Sequence, residues 1–375
     1  MILILAAFVS MVDRSVMPPL VPVIAADMGV PVDAVGQSLT VYAVSYAAFQ
    51  LFWSALAARH GRVRVLVVST GLGGLANLAT AFVQDPMSYS VIRALAAGAF
   101  AATITTVLIY YGDTLSLKQR AVATANLAAA ISLGLAAGTI GAGAIAQWWG
   151  WRWTFVVVAA LSLALMLGLP RLKEATGNTV ERLGSSVRRL AVNRWAVAIL
   201  ILTVVEGALL IGVFNYLAVA LQETGATVLV AGAATAAFGA AVVIASQLMK
   251  LILGRWPAWV LMVLAGVAII GAYVAVALDV SLITVLTAAI LLGVAWALGH
   301  TTMQTWMTDA AADTRAIGMS FFSISLFIGA SIGAAAGNVA AGAHRFDVLF
   351  ALTLAVSVAY ALATSVARAR YAVRE

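Results

Sequence analysis

Ionisable side chains at Asp13, Arg14, Arg93, Glu206 and His300 stand inside stretches that are otherwise apolar enough to cross a bilayer. A charge at the centre of a membrane helix costs roughly 3 kcal/mol or more on insertion scales, so each calls for a partner or a task. A carboxyl is pushed up by desolvation and held down by a nearby guanidinium, so a motion that alters either contact loads or releases a proton. Asp13 is the leading candidate for such coupling, and a fixed ion pair is the alternative. The 3.6-residue period continues its face through Met17, Leu20 and Ile24 and turns Arg14 about 100° away, so Arg14 serves a different partner. Glu206 is a candidate second proton site or counter-ion for a cationic substrate, against a hydrogen-bonded acid in the bundle core. Arg93 can pair with Asp13, hold a substrate anion or snorkel to the interface on its long stem. Trp296, His300 and Gln304 recur one helical turn apart and suggest a polar, aromatic cavity wall, with helix packing as the alternative. No His, Cys or carboxylate stands at ligand spacing around His300, so no metal site is expected. Gln50 and Asn126 are further cavity candidates, balanced against interhelical hydrogen bonding.

The elements that must position these groups follow from composition. Of 375 residues, 64% are hydrophobic and 9% charged, with a mean hydropathy of +1.07, against roughly 25% charged in soluble domains. Each span needs about 20 apolar residues, which leaves room for about a dozen helices. Apolar runs near 3–26, 36–57, 64–83, 88–111, 122–147, 152–169, 195–221, 228–250, 257–278, 282–305, 316–340 and 346–366 give an all-α membrane protein of twelve transmembrane helices. The apolar start lacks a basic leader and a small-residue cleavage site, so it is expected to be retained as the first helix. There are no cysteines for disulfides, thiolate sites or a thiol nucleophile. No nucleophile–base set or phosphate loop is present, so no enzyme is expected.

Charge and repetition organise the twelve. Arg59, Arg62, Arg64, Lys118, Arg120, Arg171, Lys173, Arg182, Arg188, Arg189, Arg194, Lys250, Arg255, Arg368, Arg370 and Arg374 occupy one set of loops. The other set holds Asp27, Asp33, Asp85, Glu223 and Asp279, with Arg152 and Arg345. By the positive-inside rule both termini are cytoplasmic, and the net charge of +7 reflects those loops rather than nucleic-acid binding. The polar stretch 171–194 separates 1–170 from 195–375, six spans each, and is expected to form a solvated or surface helix. Asp27, Gly29, Gly36 and Arg59 recur 196 residues later as Glu223, Gly225, Gly232 and Arg255. Arg120, Gly134, Gly138 and Phe155 recur 195 later as Arg315, Gly329, Gly333 and Phe350, and Gly98 as Gly293. The halves are therefore parallel repeats, an arrangement that places a substrate site near the midplane and allows alternating access. In this register Glu206 matches Ser10, one turn from Asp13.

The pattern resembles the major facilitator superfamily over essentially the whole chain. Ser54–Arg62 is similar to the family's loop signature of Gly, Leu, Ala, Asp, Arg, a variable residue, Gly and Arg, with Ser54 for the Gly and Ala58 for the Asp. Arg93 with Gly98 resembles the fourth-span motif, and Asp113 with Arg120 the loop after it. Gly134, Gly138 and Gly141 resemble the fifth-span motif of exporters, with Thr139 for its Pro. Gly150–Trp153 and Phe155 resemble the Gly-Trp-Arg turn. The resemblance implies two pseudo-symmetric six-helix bundles whose first and seventh helices line a cavity, so that Asp13 and Glu206 face it. It also implies a cytoplasmic latch built from Arg59, Gly61, Arg62, Asp113 and Arg120. Without a carboxylate at Ala58 the resting population is expected to shift toward inward-open.

Within the superfamily the chain is most like the drug:proton antiporters, although an Asp-Arg pair in the first span also occurs in Spinster-like lysolipid carriers and organic-anion carriers. The function expected is export of a small amphiphilic or cationic compound by a monomer in the cell (inner) membrane, surrounded by lipid and driven by the proton gradient without a cofactor. A lipid or lysolipid carrier, an anion–proton symporter and a non-transporting receptor or assembly factor on the same scaffold remain as alternatives.

Overall fold

In a computed structural model of the chain, residues 1–174, 183–252 and 256–371 are described. Arg182, Arg255 and Arg374 lie outside them, as does the side chain of Ala58, on which the expected inward shift depends.

Every described element is helical. The first span, α1, is a bent pair, Ile2–Ser15 and Met17–Met28, with 44° between its arms. Pro18 and Pro19 open the second arm, where a missing N–H costs nothing but the helix cannot continue straight through. Ten further spans run as α2 (Val32–Ala57), α3 (Arg62–Thr80), α4 (Pro86–Thr114), α5 (Lys118–Trp149), α6 (Trp151–Arg171), α7 (Arg194–Glu223), α8 (Val228–Met249), α9 (Ala258–Leu278), α10 (Leu282–Ala310) and α11 (Ile317–Ala343), and α12 (Phe346–Arg370) ends the series. The turns read as local chemistry predicts. Ser116 and Gln119 form a capping box ahead of α5, so that helix starts earlier than its apolar run does. Asp85 caps α4 by accepting the Ser88 N–H at 2.9 Å, a bond that holds its carboxyl below the usual range. Gly61 and Gly150 turn the chain at φ 98° and 92°, a region that L side chains avoid. Between α6 and α7 a short helix, Leu183–Val192, buries Leu190.

The chain divides into two compact units, Met1–Val180 with Thr227–Ala233, and Glu181–Ala226 with Ala234–Glu375. In the first, α1 packs on α5, α2 on α4 and α3 on α6. In the second, α7 packs on α11 and α9 on α12, and Gly293 of α10 lies against Phe238 and Ala241 of α8.

The two units repeat these contacts residue for residue. A Cβ on Gly134 would meet the Phe8 carbonyl, and one on Gly138 the Val12 carbonyl; on Gly329 and Gly333 it would meet the Val204 and Ala208 carbonyls. The glycines are displaced by 195 residues and their partners by 196. In a bilayer no hydrophobic force draws helices together, so glycine at such crossings lets backbones approach closely enough for dispersion to hold them.

Candidate functional site

Among the described residues, each unit gathers a buried polar cluster. In the first, the Asp13 carboxylate accepts three hydrogen bonds: from Tyr42 Oη at 2.8 Å, Asn77 Nδ2 at 2.7 Å and Arg93 Nη2 at 2.9 Å. Arg93 Nη1 donates to Asn77 Oδ1 at 3.0 Å, and Nη2 also covers the Asp13 carbonyl at 3.2 Å, beside the break in α1. The guanidinium carbon lies 5.0 Å from the Phe155 ring centroid and 5.5 Å from that of Tyr42. The Asp13 and Arg93 side chains are both 0% exposed. A buried ion pair needs further hydrogen bonds to its partners, and here Asn77 and Tyr42 supply them, with Arg93 Nε left as a buried donor without an acceptor. The cluster ties α1, α2, α3 and α4 together, so a proton reaches Asp13 only if it opens. Arg14 is half-buried, with Tyr46 and Tyr42 as electrostatic neighbours.

In the second unit, Glu206 is 0% exposed and its Oε2 lies 3.1 Å from His300 Nδ1. His300 Nε2 lies 3.1 Å from Gln304 Nε2. One tautomer satisfies both contacts: Nδ1–H donates to Glu206, and the Gln304 amide donates to a bare Nε2. A half-turn of the Gln304 amide presents its oxygen instead, which serves a doubly protonated ring. Trp296 stacks on His300 with centroids 4.0 Å apart and planes at 23°. Phe322 lies 5.4 Å away on another side. Glu206 Oε1 is buried without a hydrogen-bond partner. The arrangement therefore pairs a carboxylate with an imidazole and leaves one buried acceptor open.

Both partners adjoin π-helical turns, Ala208–Val213 in α7 and Trp296–His300 in α10. Such turns insert an extra residue, re-aim the side chains that follow and occur often at functional sites. Gly207 and Gly212 let the first turn lie against α11 at Leu326 and Ala330. Tyr273 Oη donates to the Leu209 carbonyl inside it. Leu209 matches Asp13 and Tyr273 matches Asn77 at an offset of 196. At the position where the first unit is charged, the second therefore holds a neutral tie, and its charge lies one turn away at Glu206.

At the α2–α3 turn, Arg62 Nε meets Asp113 Oδ2 at 3.3 Å, and Arg120 donates to the Gly112 carbonyl. Glu174, just beyond α6, accepts the Val63 and Arg64 N–H groups at 2.9 and 3.2 Å. It sits so close to Gly61 that a Cβ there would strike its carboxylate. The open amides of the α3 N-terminus attract that anion. Arg59 is exposed at the end of the preceding helix.

Of the other sequence candidates, Met17 is fully buried in the core. Gln50 is buried with its amide 3.5 Å from Thr105 Oγ1, and Asn126 is exposed. Three residues of the site escape the sequence analysis. Asn77 carries a signal, an amide in an apolar run; Tyr42 reads as an ordinary aromatic, and Glu174 as one charge in a polar linker. Among the described residues no group of three or more His, Cys, Asp or Glu is placed to hold a metal.

The fold has solved counterparts. The nucleoside transporter NupG superposes with a TM-score of 0.78 at 15% identity, covering 99% of this chain and 98% of that one. A bacterial homologue of the human lysosomal transporter Spinster, inward-facing and unoccupied, gives 0.76 at 17% identity, with 98% and 96% covered. A D-xylose–proton symporter gives 0.75 at 12%, with 97% and 95% covered. A search of curated protein sequences returns no match. A profile of the Major Facilitator Superfamily matches residues 3–334. With the twelve spans, the repeated packing and this match over most of its length, the chain belongs to the Major Facilitator Superfamily.

Proposed function

We propose that this transporter is proton-coupled, with Glu206 and His300 as its coupling centre, and that it exports small amphiphilic or cationic organic compounds. The observation that carries the reading is the buried Glu206 carboxylate, with one oxygen bonded to His300 and the other unpartnered. A proton and a cationic group compete for that carboxylate. A proton taken up is shared with His300, whose charge turns the Gln304 amide; its release restores an acceptor for substrate. Trp296, Phe238 and Phe214, in successive ring contact, supply an apolar surface beside it. Cation transport is favoured over anion transport because both Arg93 Nη groups are taken up by Asp13 and Asn77, and its remaining Nε is buried. Asp13 thus acts as a lock among the first four spans, and its protonation is tied to the lock's opening. The protein works in the cell membrane with both termini cytoplasmic.

The test is accumulation of a lipophilic cation, tetraphenylphosphonium, in proteoliposomes carrying an imposed pH gradient. Wild type should accumulate it with a dependence on pH between about 5 and 8, the range in which imidazoles change charge. Glu206→Gln should lose gradient-driven accumulation while still exchanging labelled for unlabelled cation. Accumulation by Glu206→Gln equal to wild type would refute the assignment, and its loss in Asp13→Asn alone would move coupling to Asp13.

A further inference from the structure

The second unit carries a cavity of ≈ 580 Å³ lined by Val192, Asn193, Arg194, Trp195, Asp309, Ala310, Arg370 and Tyr371. It lies where α7 begins and α10 and α12 end. Asn193 fixes its shape, accepting the Trp195 and Ala196 N–H groups at 3.1 and 3.2 Å and donating to the Ala310 carbonyl at 2.7 Å. Its wall carries Trp195 and Tyr371, with Trp306 packed behind them, ring centroids 5.4 to 5.9 Å apart. The Arg368 guanidinium stands over Tyr371 and Trp306 at 5.3 and 5.7 Å.

Three features call for an anion there. Arg194 and Arg370 are exposed on the cavity, and among the described residues no carboxylate forms an ion pair with either. Behind the wall, Trp306 Nε1 and Arg368 Nε are buried donors without acceptors. The internal repeat supplies the third. Within one residue of the register, Asp309 matches Asp113 and Arg370 matches Glu174. At this register position the first unit carries the Glu174 carboxylate, seated on the Val63 and Arg64 amides, whereas the second carries a guanidinium of opposite sign on the cavity.

We infer that this cavity binds the phosphate of an anionic phospholipid headgroup, with Arg194 and Arg370 holding the phosphate and Trp195 and Tyr371 flanking it. The ligand is a lipid because the cavity opens at the ends of three spans. Its rim carries the apolar Val192, 77% exposed, and the adjoining short helix presents Arg188 and Arg189 to the surface. Basic pockets between span ends, reinforced by basic residues beside the membrane, recognise anionic headgroups. Among the described residues Asp309 is the one acid on the cavity, and it sets the strength of binding by opposing it.

Native mass spectrometry of the detergent-purified full chain, titrated with phosphatidylglycerol or phosphatidylcholine, tests this. Phosphatidylglycerol should bind at least about tenfold tighter. Replacing both Arg194→Gln and Arg370→Gln should weaken it by about fivefold per guanidinium, while Arg345→Gln leaves it unchanged. Asp309→Asn should tighten it, an effect that a merely structural role would not produce. Both arginines are exposed, so the fold should survive their loss. Equal phosphatidylglycerol binding by the double variant and wild type would overturn the inference. Displacement of the lipid by millimolar glycerol 1-phosphate would overturn the lipid assignment in favour of a soluble phosphate.

Discussion

At the residue scale, the two buried carboxylates differ in what surrounds them rather than in kind. Asp13 meets a permanent cation and two neutral donors with no oxygen left over, whereas Glu206 meets a titratable ring and keeps one oxygen free. On that difference rests the proposal that Asp13 holds and Glu206 switches. Removing one partner of a buried pair strands the other charge and typically costs 3–5 kcal/mol. Arg93→Ala should therefore lower the thermal unfolding midpoint markedly. The neutral double replacement, Asp13→Asn with Arg93→Met, should recover much of the loss because no charge is then stranded. A double variant no more stable than Arg93→Ala would show that the cluster holds the unit by packing alone.

At the element scale, glycine crossings and helix breaks carry the architecture. The α7–α11 crossing rests on Gly329 and Gly333, as the α1–α5 crossing rests on Gly134 and Gly138. A side chain at these positions would push one backbone off another, and overpacking costs typically 1–3 kcal/mol. Gly329→Val and Gly134→Val should each destabilise by at least that amount. Gly141, on the same helix as Gly134, has open space where a Cβ would stand, with nothing within 4 Å, so Gly141→Ala should be neutral or stabilise by up to about 1 kcal/mol through helix propensity. Equal losses at Gly134 and Gly141 in thermal melts would argue against close packing as the cause. The π-helical turns beside Glu206 and His300 belong to the same scale, since each shifts the helical face after it and so decides which side chains meet.

At the scale of the whole molecule, duplication has left one scaffold with unlike chemistry in its halves. The same crossings recur with an offset of 195 or 196 residues, while the charged tie at Asp13 becomes the neutral contact of Tyr273 with Leu209. Orientation is a testable consequence of loop charge. Because the chain contains no cysteine, single cysteines report sidedness without background. Ser116→Cys should react with an impermeant maleimide only from the cytoplasmic side, and Asp279→Cys only from outside. The reverse pattern would invert the topology and, with it, the assignment of the basic ends.

The sequence by itself determined the twelve spans, because hydrocarbon admits only long apolar helices, and the repeat, because charged turns and glycines kept a constant register. It also singled out Asp13, Arg93, Glu206 and His300, since charge in an apolar run is conspicuous whatever its partner. Pairing was decided only by tertiary structure. Arg93 is 80 residues from Asp13, and His300 is 94 from Glu206, and no local period links groups on different helices. Nothing in the sequence marks Tyr42 or Glu174 as donor and cap, or Met17 as core rather than cavity, because those roles depend on which face a neighbouring helix covers. The π-helical turns were equally illegible, since close packing against a neighbouring helix, rather than any residue's own preference, favours the extra residue in the turn.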